Sequence, residues 1–179
     1  MEGFMVNICD FWNLNTRDSY GNNVFFTNNG MPTSLLTCCG VGRFPAFSGQ
    51  RQGRNNASLT SVPDIGPIPQ GTYYIIGRQS GGRLSSIREA ALKYAYGTDR
   101  SQWFFLYRRD GKIDDYTFIE GVRRGNFRLH PIGPRGLSEG CITLSHITDF
   151  DYLRNRLLNT SMINVPGSLL MAYGTIRVD

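Results

Sequence analysis

The chain has 179 residues, a net charge of +5 and a pI near 9.2, with charged side chains at 18% and aromatics at 12%. That length suits one domain, residues 1–179, able to bury a core without staples, and 21 glycines with abundant turn pairs favour strands and loops over a helical bundle. No apolar run is long enough to span a membrane, and scattered arginines without a helix-turn-helix, zinc-finger or RNA-recognition pattern argue against nucleic acid, so the positive charge suits some other anionic partner.

The first residues, Met1 to Asp10, lack the basic start, apolar run and cleavage site of a signal peptide, so a chain made in the cytoplasm without a general export address is expected. Residues 1–39 read as short strands and hairpins, with turn signals at Tyr20-Gly21-Asn22-Asn23 and Thr27-Asn28-Asn29-Gly30 flanking Val24-Phe25-Phe26. Cys9, Cys38, Cys39 and Cys141 have neither zinc-site nor Cys-x-x-Cys spacing, and no metal or other cofactor is called for. Bridging adjacent cysteines is strained, so at most one of Cys38 and Cys39 pairs with Cys9, and buried free thiols are the simpler expectation.

Residues 43–56 read as a polar, glycine-bearing loop. Ile68-Pro69-Gln70-Gly71 fits a turn with proline at its second position, leading into a strand from Thr72 to Ile76. Ser86-Ile87-Arg88-Glu89 is a capping-box pattern that predicts a helix from Ile87 to Tyr94, ending near Gly97. Trp103 to Tyr107 is a β-rich apolar run, Arg109-Asp110-Gly111-Lys112 turns it, and Tyr116 to Ile119 is the return strand.

Phe127-Arg128-Leu129-His130 alternates, placing Arg128 and His130 on one face of a strand. A glycine-rich loop follows, then Ser138-Glu139-Gly140-Cys141 and the alternating Ile142-Thr143-Leu144, so Cys141 opens a strand with Thr143 on its side. A thiol becomes a nucleophile when a neighbouring base favours the thiolate, and His130 is the candidate base for Cys141. Gly140 lets consecutive N–H groups turn toward a reacting carbonyl, Ser138 is placed to orient the loop, and Glu139 is a solvated turn residue. Arg128 or Arg135 is the candidate to hold a substrate carboxylate; a solvated strand face is the plainer reading of Arg128. Ile147, Phe150, Leu153 and Leu157 mark an amphipathic helix opened by His146, a surface or capping residue, and 169–178 closes the chain as a strand or strand pair.

His130, the glycine-containing loop and Ser-x-Gly-Cys before an alternating strand resemble the active-site motif of the L,D-transpeptidase (YkuD-type) catalytic domain. Ile65-Gly66-Pro67-Ile68-Pro69-Gln70-Gly71-Thr72-Tyr73 is similar to that family's turn and strand. The pair of motifs most resembles the type VI secretion L,D-transpeptidase-like antibacterial effectors, over about residues 40–158. Glu139 and Thr143 stand where that motif usually has histidine and arginine.

The resemblance implies a mainly β fold, a sandwich or partly closed barrel with two short helices. It implies an enzyme acting on peptidoglycan tetrapeptide stems through a Cys141 acyl-enzyme, by L,D-carboxypeptidase cleavage or D-amino-acid exchange. It also implies delivery by a contact-dependent machine, action in the periplasm of target bacteria and a cognate immunity protein. The alternatives are a non-enzymatic wall-binding or inhibitor module, and a papain-like amidase, in which the cysteine usually precedes the histidine and opens a helix.

Overall fold

A computed structural model describes Cys9 and residues 21–77 and 99–179. Its frame is a closed eight-stranded barrel of β1 (Asn22–Phe26), β2 (Ser34–Cys38), β3 (Gly42–Ser48), β4 (Gly71–Ile76), β5 (Phe104–Arg108), β8 (Arg128–Pro131), β9 (Ile142–Leu144) and β12 (Gly174–Val178), in the order β1-β12-β4-β5-β8-β9-β3-β2. Closure removes the unpaired edges that an open sheet would expose. The expectation of a mainly β, partly closed barrel is met, and here the ring is complete. Two small hairpins lie outside it, β6 (Tyr116–Ile119) with β7 (Val122–Gly125) and β10 (Ile163–Asn164) with β11 (Met171–Ala172).

Strand alternation sends one row of side chains inward. Val24, Phe26, Leu36, Tyr73, Ile75, Leu129, Ile142, Leu144, Ile176 and Val178 form one core. Removing each large apolar side chain from water contributes about 1.5–3 kcal/mol, set against the entropy of ordering the chain. β4 is buried on both faces, since Tyr74 and Ile76 pack outward against Val165 and Ala172 beneath the β10–β11 hairpin.

The helix α1 (Ile147–Leu158) turns Phe150, Leu153 and Leu157 into the main core, at the spacing of three and four residues that one helical face requires. It lies across one mouth of the barrel. Phe150 meets Phe104 at 6.4 Å, Tyr152 meets Phe44 at 6.2 Å, Arg154 Nε donates to Gln102 O at 3.2 Å and Thr160 Oγ1 donates to Asn22 Oδ1 at 3.5 Å. These partners lie at or just before the starts of β1, β3 and β5. β9 begins beside the end of β3, so Cys141 sits at the opposite mouth.

Three expectations change, and a fourth falls outside the described residues. Residues 43–48 are not loop but the greater part of β3, because Phe44, Ala46 and Phe47 are buried. β6 is a strand, but it does not return along β5; it pairs with β7, while β5 pairs with β4 and β8. Its exposed residues explain this: Tyr116 and Phe118 have no place on a barrel wall buried like that of β5. Cys9 and Cys39 form a disulfide with Cα atoms 5.5 Å apart, leaving Cys38 a buried free thiol. The helix expected over 87–94 lies outside the described residues, among which α1 is the one α-helix of more than a single residue.

Candidate active site

β8 and β9 pair in parallel, with Leu129 opposite Ile142 and His130 opposite Thr143. A parallel pair needs the chain to return to the same end before the second strand begins. The crossover over residues 132–141 does this, bringing Cys141 back beside the start of β8. Leu129 and Ile142 face the core, so His130, Thr143 and Cys141 fall on the other side of the strands.

His130 is held from three directions. Its Nδ1 lies 2.8 Å from Pro131 O, its Nε2 lies 3.2 Å from Thr143 Oγ1, and Trp103 stacks on the ring at 4.2 Å with an 18° tilt. A carbonyl can only accept, so Nδ1 carries the proton, and Nε2 presents its lone pair to the threonine hydroxyl. Burial pushes the imidazole from 6.5 down to about 4; the Pro131 hydrogen bond opposes the shift, and the Arg100 and Arg128 charges reinforce it. His130 is therefore a neutral base with a defined tautomer.

Cys141 is half-buried and its Sγ lies 3.6 Å from Asn126 O. Burial raises the thiol to about 11, against the lowering by the Arg128 backbone N–H and guanidinium, with Glu139 and Asp115 adding to the rise. A thiol donating to a carbonyl is protonated. The structure thus brings Cys141 and His130 to adjacent strands without a hydrogen bond between them.

The loop before Cys141 is shaped by Ser138 and Gly140. Ser138 is buried and its Oγ donates to Cys141 O at 2.7 Å, which fastens the turn. Gly140 has φ +100 and is also enclosed: a Cβ there would lie 2.8 Å from Arg124 Nη2 and 3.2 Å from a Phe127 ring carbon. Only glycine fits both conditions. Arg135 lies in the exposed turn of the crossover.

Arg128 shares the strand with His130, and its guanidinium is engaged. Nη1 and Nη2 donate to the two Asp115 carboxylate oxygens at 2.6 Å each, Nη1 also donates to Phe127 O, and the group lies 4.1 Å over the Phe105 ring. The fork expected to meet a substrate carboxylate meets an internal one.

Sequence reasoning did not single out Arg124, Trp103 as the ring over the imidazole, or Asn126. Arg124, only 4% exposed, donates to Thr60 O, to Gly66 O at 3.0 Å and to Pro67 O at 3.3 Å, tying the Gly-Pro-Ile-Pro turn to the wall beside Gly140. In sequence it is one of two adjacent arginines and reads as solvated. Asn126 has φ +58, a conformation asparagine tolerates, and this aims its carbonyl at the sulphur. Among the described residues no three of His, Cys, Asp and Glu gather where a metal could be held, and no helix is long and apolar enough to cross a membrane.

Fold and site together define a mainly β barrel with a cysteine and a buried histidine on neighbouring parallel strands at one rim. The Tlde1 domain model matches residues 42–168, and the chain belongs to that family, the type VI secretion L,D-transpeptidase effectors. Membership gives the chain a type VI secretion effector class with peptidoglycan-related activity. No curated protein is similar enough to match.

Proposed function

We propose that the protein is a cysteine enzyme that acts on peptidoglycan tetrapeptide stems, by L,D-carboxypeptidase cleavage or D-amino-acid exchange, as an antibacterial effector in the periplasm of target cells. The carrying observation is the β8–β9 register, which sets Cys141, Thr143 and His130 on one side of adjacent strands with an unprotonated Nε2 among them.

In this reading, rotation of the Cys141 side chain takes Sγ from Asn126 O toward Nε2, which accepts the thiol proton. The thiolate attacks the carbonyl carbon of the diaminopimelate residue, and the N–H groups of Gly140 and Cys141 receive the oxyanion. The carbon–nitrogen bond breaks, Nε2–H protonates the departing D-alanine amine, and a thioester remains. Water then gives the shortened stem and restores the thiol, whereas a D-amino acid amine gives exchange. Pro131 O takes the orienting role of a third catalytic partner by fixing the tautomer. Arg128 is the proposed carboxylate contact once Asp115 is displaced, with Arg135 the alternative from the crossover.

The test is mass spectrometry of muropeptides after incubation with the purified protein. Loss of terminal D-alanine, or its replacement by an added D-amino acid, is the expected result. Release of whole stems would make the protein an amidase, and unchanged muropeptides a wall-binding or inhibitor module. An immunity protein that neutralises the toxin is the expected partner.

A further inference from the structure

The β6–β7 hairpin has one face committed to the protein and one that is not. Cross-strand register puts Thr117 opposite Arg124 on the inner face and Phe118 opposite Arg123 on the outer, with Tyr116 also outward and opposite Gly125. The inner pair is satisfied: Thr117 Oγ1 donates to Asp110 Oδ2 at 2.6 Å and accepts from Arg108 Nη1 at 3.2 Å, and Arg124 holds the carbonyls of the Gly-Pro-Ile-Pro turn. Among the described residues the outer face packs into neither hydrophobic cluster, yet it carries two aromatic rings, Phe118 at 61% and Tyr116 at 39% exposure.

These side chains form an array. The rings stand perpendicular, 6.1 Å apart and 89° between planes, and the Arg123 guanidinium lies 4.4 Å over the Tyr116 ring. Together they offer apolar ring surface, a phenolic hydroxyl and a planar cation at one place. That combination suits a saccharide, whose ring presents an apolar C–H face and a polar rim, and the guanidinium can donate to the hydroxyl and N-acetyl carbonyl oxygens of that rim. The free carboxylates of the stem peptides make the whole polymer anionic, which the chain's net charge of +5 complements.

Position selects the polymer. β7 runs directly into Asn126, whose carbonyl receives the Cys141 thiol, and Asp115, next to Tyr116, receives Arg128. A glycan whose peptide branch reaches Cys141 must lay its backbone on a neighbouring surface, and this face begins one residue from Asn126. We infer that the outer face of the β6–β7 hairpin, through Tyr116, Phe118 and Arg123, docks the glycan strand of peptidoglycan while the attached stem reaches Cys141. The inference rests on the peptidoglycan reading above.

The test compares Phe118→Ala, Tyr116→Ala and Arg123→Ala with the parent protein in two assays, turnover of free tetrapeptide against glycan-linked polymer, and co-sedimentation of Cys141→Ala forms with purified sacculi. Each substitution should weaken sacculus binding and polymer kcat/KM by about three- to tenfold, with free-tetrapeptide turnover unchanged. Equal loss on both substrates, or undiminished sacculus binding, would overturn the platform. If the parent turns over neither substrate but sediments with sacculi through these three residues, the catalytic reading fails and the platform stands. Binding through this face to a protein partner, with sacculi bound equally by all variants, also overturns it.

Discussion

Thr143 Oγ1 stands 3.2 Å from His130 Nε2, in the direction from which a catalytic thiol would have to approach, while the Cys141 sulphur rests 3.6 Å from Asn126 O. Both members of the pair hold other partners in this resting arrangement. The threonine occupies the place directly opposite the histidine because the parallel register puts it there, and Cys141 lies two residues back along the same side.

Thr143 and His130 are both buried, so removing the hydroxyl leaves a ring nitrogen without a donor. Thr143→Val should destabilise the fold by about 1–2 kcal/mol, and Thr143→Ser by less than half of that, since serine keeps the donor. Denaturant midpoints of the two variants measure this; equal losses would assign the effect to packing of the methyl group instead.

For the catalytic pair, Cys141→Ala and His130→Ala should each lower turnover of tetrapeptide by about a thousandfold, and the double variant by little more, because nucleophile and base act as a unit. Near-parent turnover in either single variant rejects the assignment.

With the thiol raised to about 11 and the imidazole lowered to about 4, the resting pair is neutral at pH 7. Alkylation of Cys141 in the free protein should be slow at pH 7 and climb about tenfold per pH unit toward 11, since the thiolate reacts. Peptide mapping separates this signal from Cys38. Fast labelling at pH 7, lost on His130→Ala, would mean that a thiolate–imidazolium pair exists before substrate arrives.

The His130 shift also sets a stability trend. Its folded value, about 4, is below its ordinary 6.5, so between these the unfolded chain binds more protons. Its contribution is complete above about 6.5 and is lost as pH falls through about 4. His130→Phe should flatten the loss of stability between pH 6.5 and 4, as read from thermal midpoints across that range. A parallel curve for parent and variant would show that His130 is not the group responsible.

The Cys9–Cys39 bridge spans 30 positions. Breaking it in a Cys9→Ser, Cys39→Ser variant should cost about 3–4 kcal/mol through the entropy regained by the unfolded chain, measured against the parent under non-reducing conditions. The same treatment with reductant should leave the variant unchanged, and a drop there would implicate some other disulfide.

Arg128 carries a prediction that depends on its partner. If its fork takes a substrate carboxylate, Asp115→Asn should lower KM for stems with a free terminal carboxylate and leave amidated stems unaffected, while Arg128→Ala raises KM for the free form alone by about ten- to a hundredfold. Equal effects on both substrates would make the Arg128–Asp115 pair a brace between β8 and the segment leading into β6.

Local pattern determined much of this protein. Alternation marked the strands around Leu129 and Ile142, because one row of each must face a core, while turn signals marked those at Val24 and Tyr73 and a β-rich apolar run marked that at Phe104. The spacing of Phe150, Leu153 and Leu157 marked α1 for the same reason at a helical period. Ser138-x-Gly140-Cys141 was legible because a glycine just before a candidate nucleophilic thiol forms a recognisable loop pattern, and the structure adds why glycine is needed there, since φ +100 beside Arg124 admits no side chain. Pairing was not legible. Whether β8 and β9 run parallel depends on how the crossover over 132–141 folds back, and whether β6 joins β5 or β7 depends on which surface is already buried. An antiparallel turn would have set Cys141 near His130, and the parallel one sets Thr143 there instead. The partners of Arg124, Arg128 and Cys39 come from segments distant in sequence, so only the closed barrel, by choosing strand neighbours, could decide which charge is held, which thiol is bridged and which hydroxyl meets the imidazole.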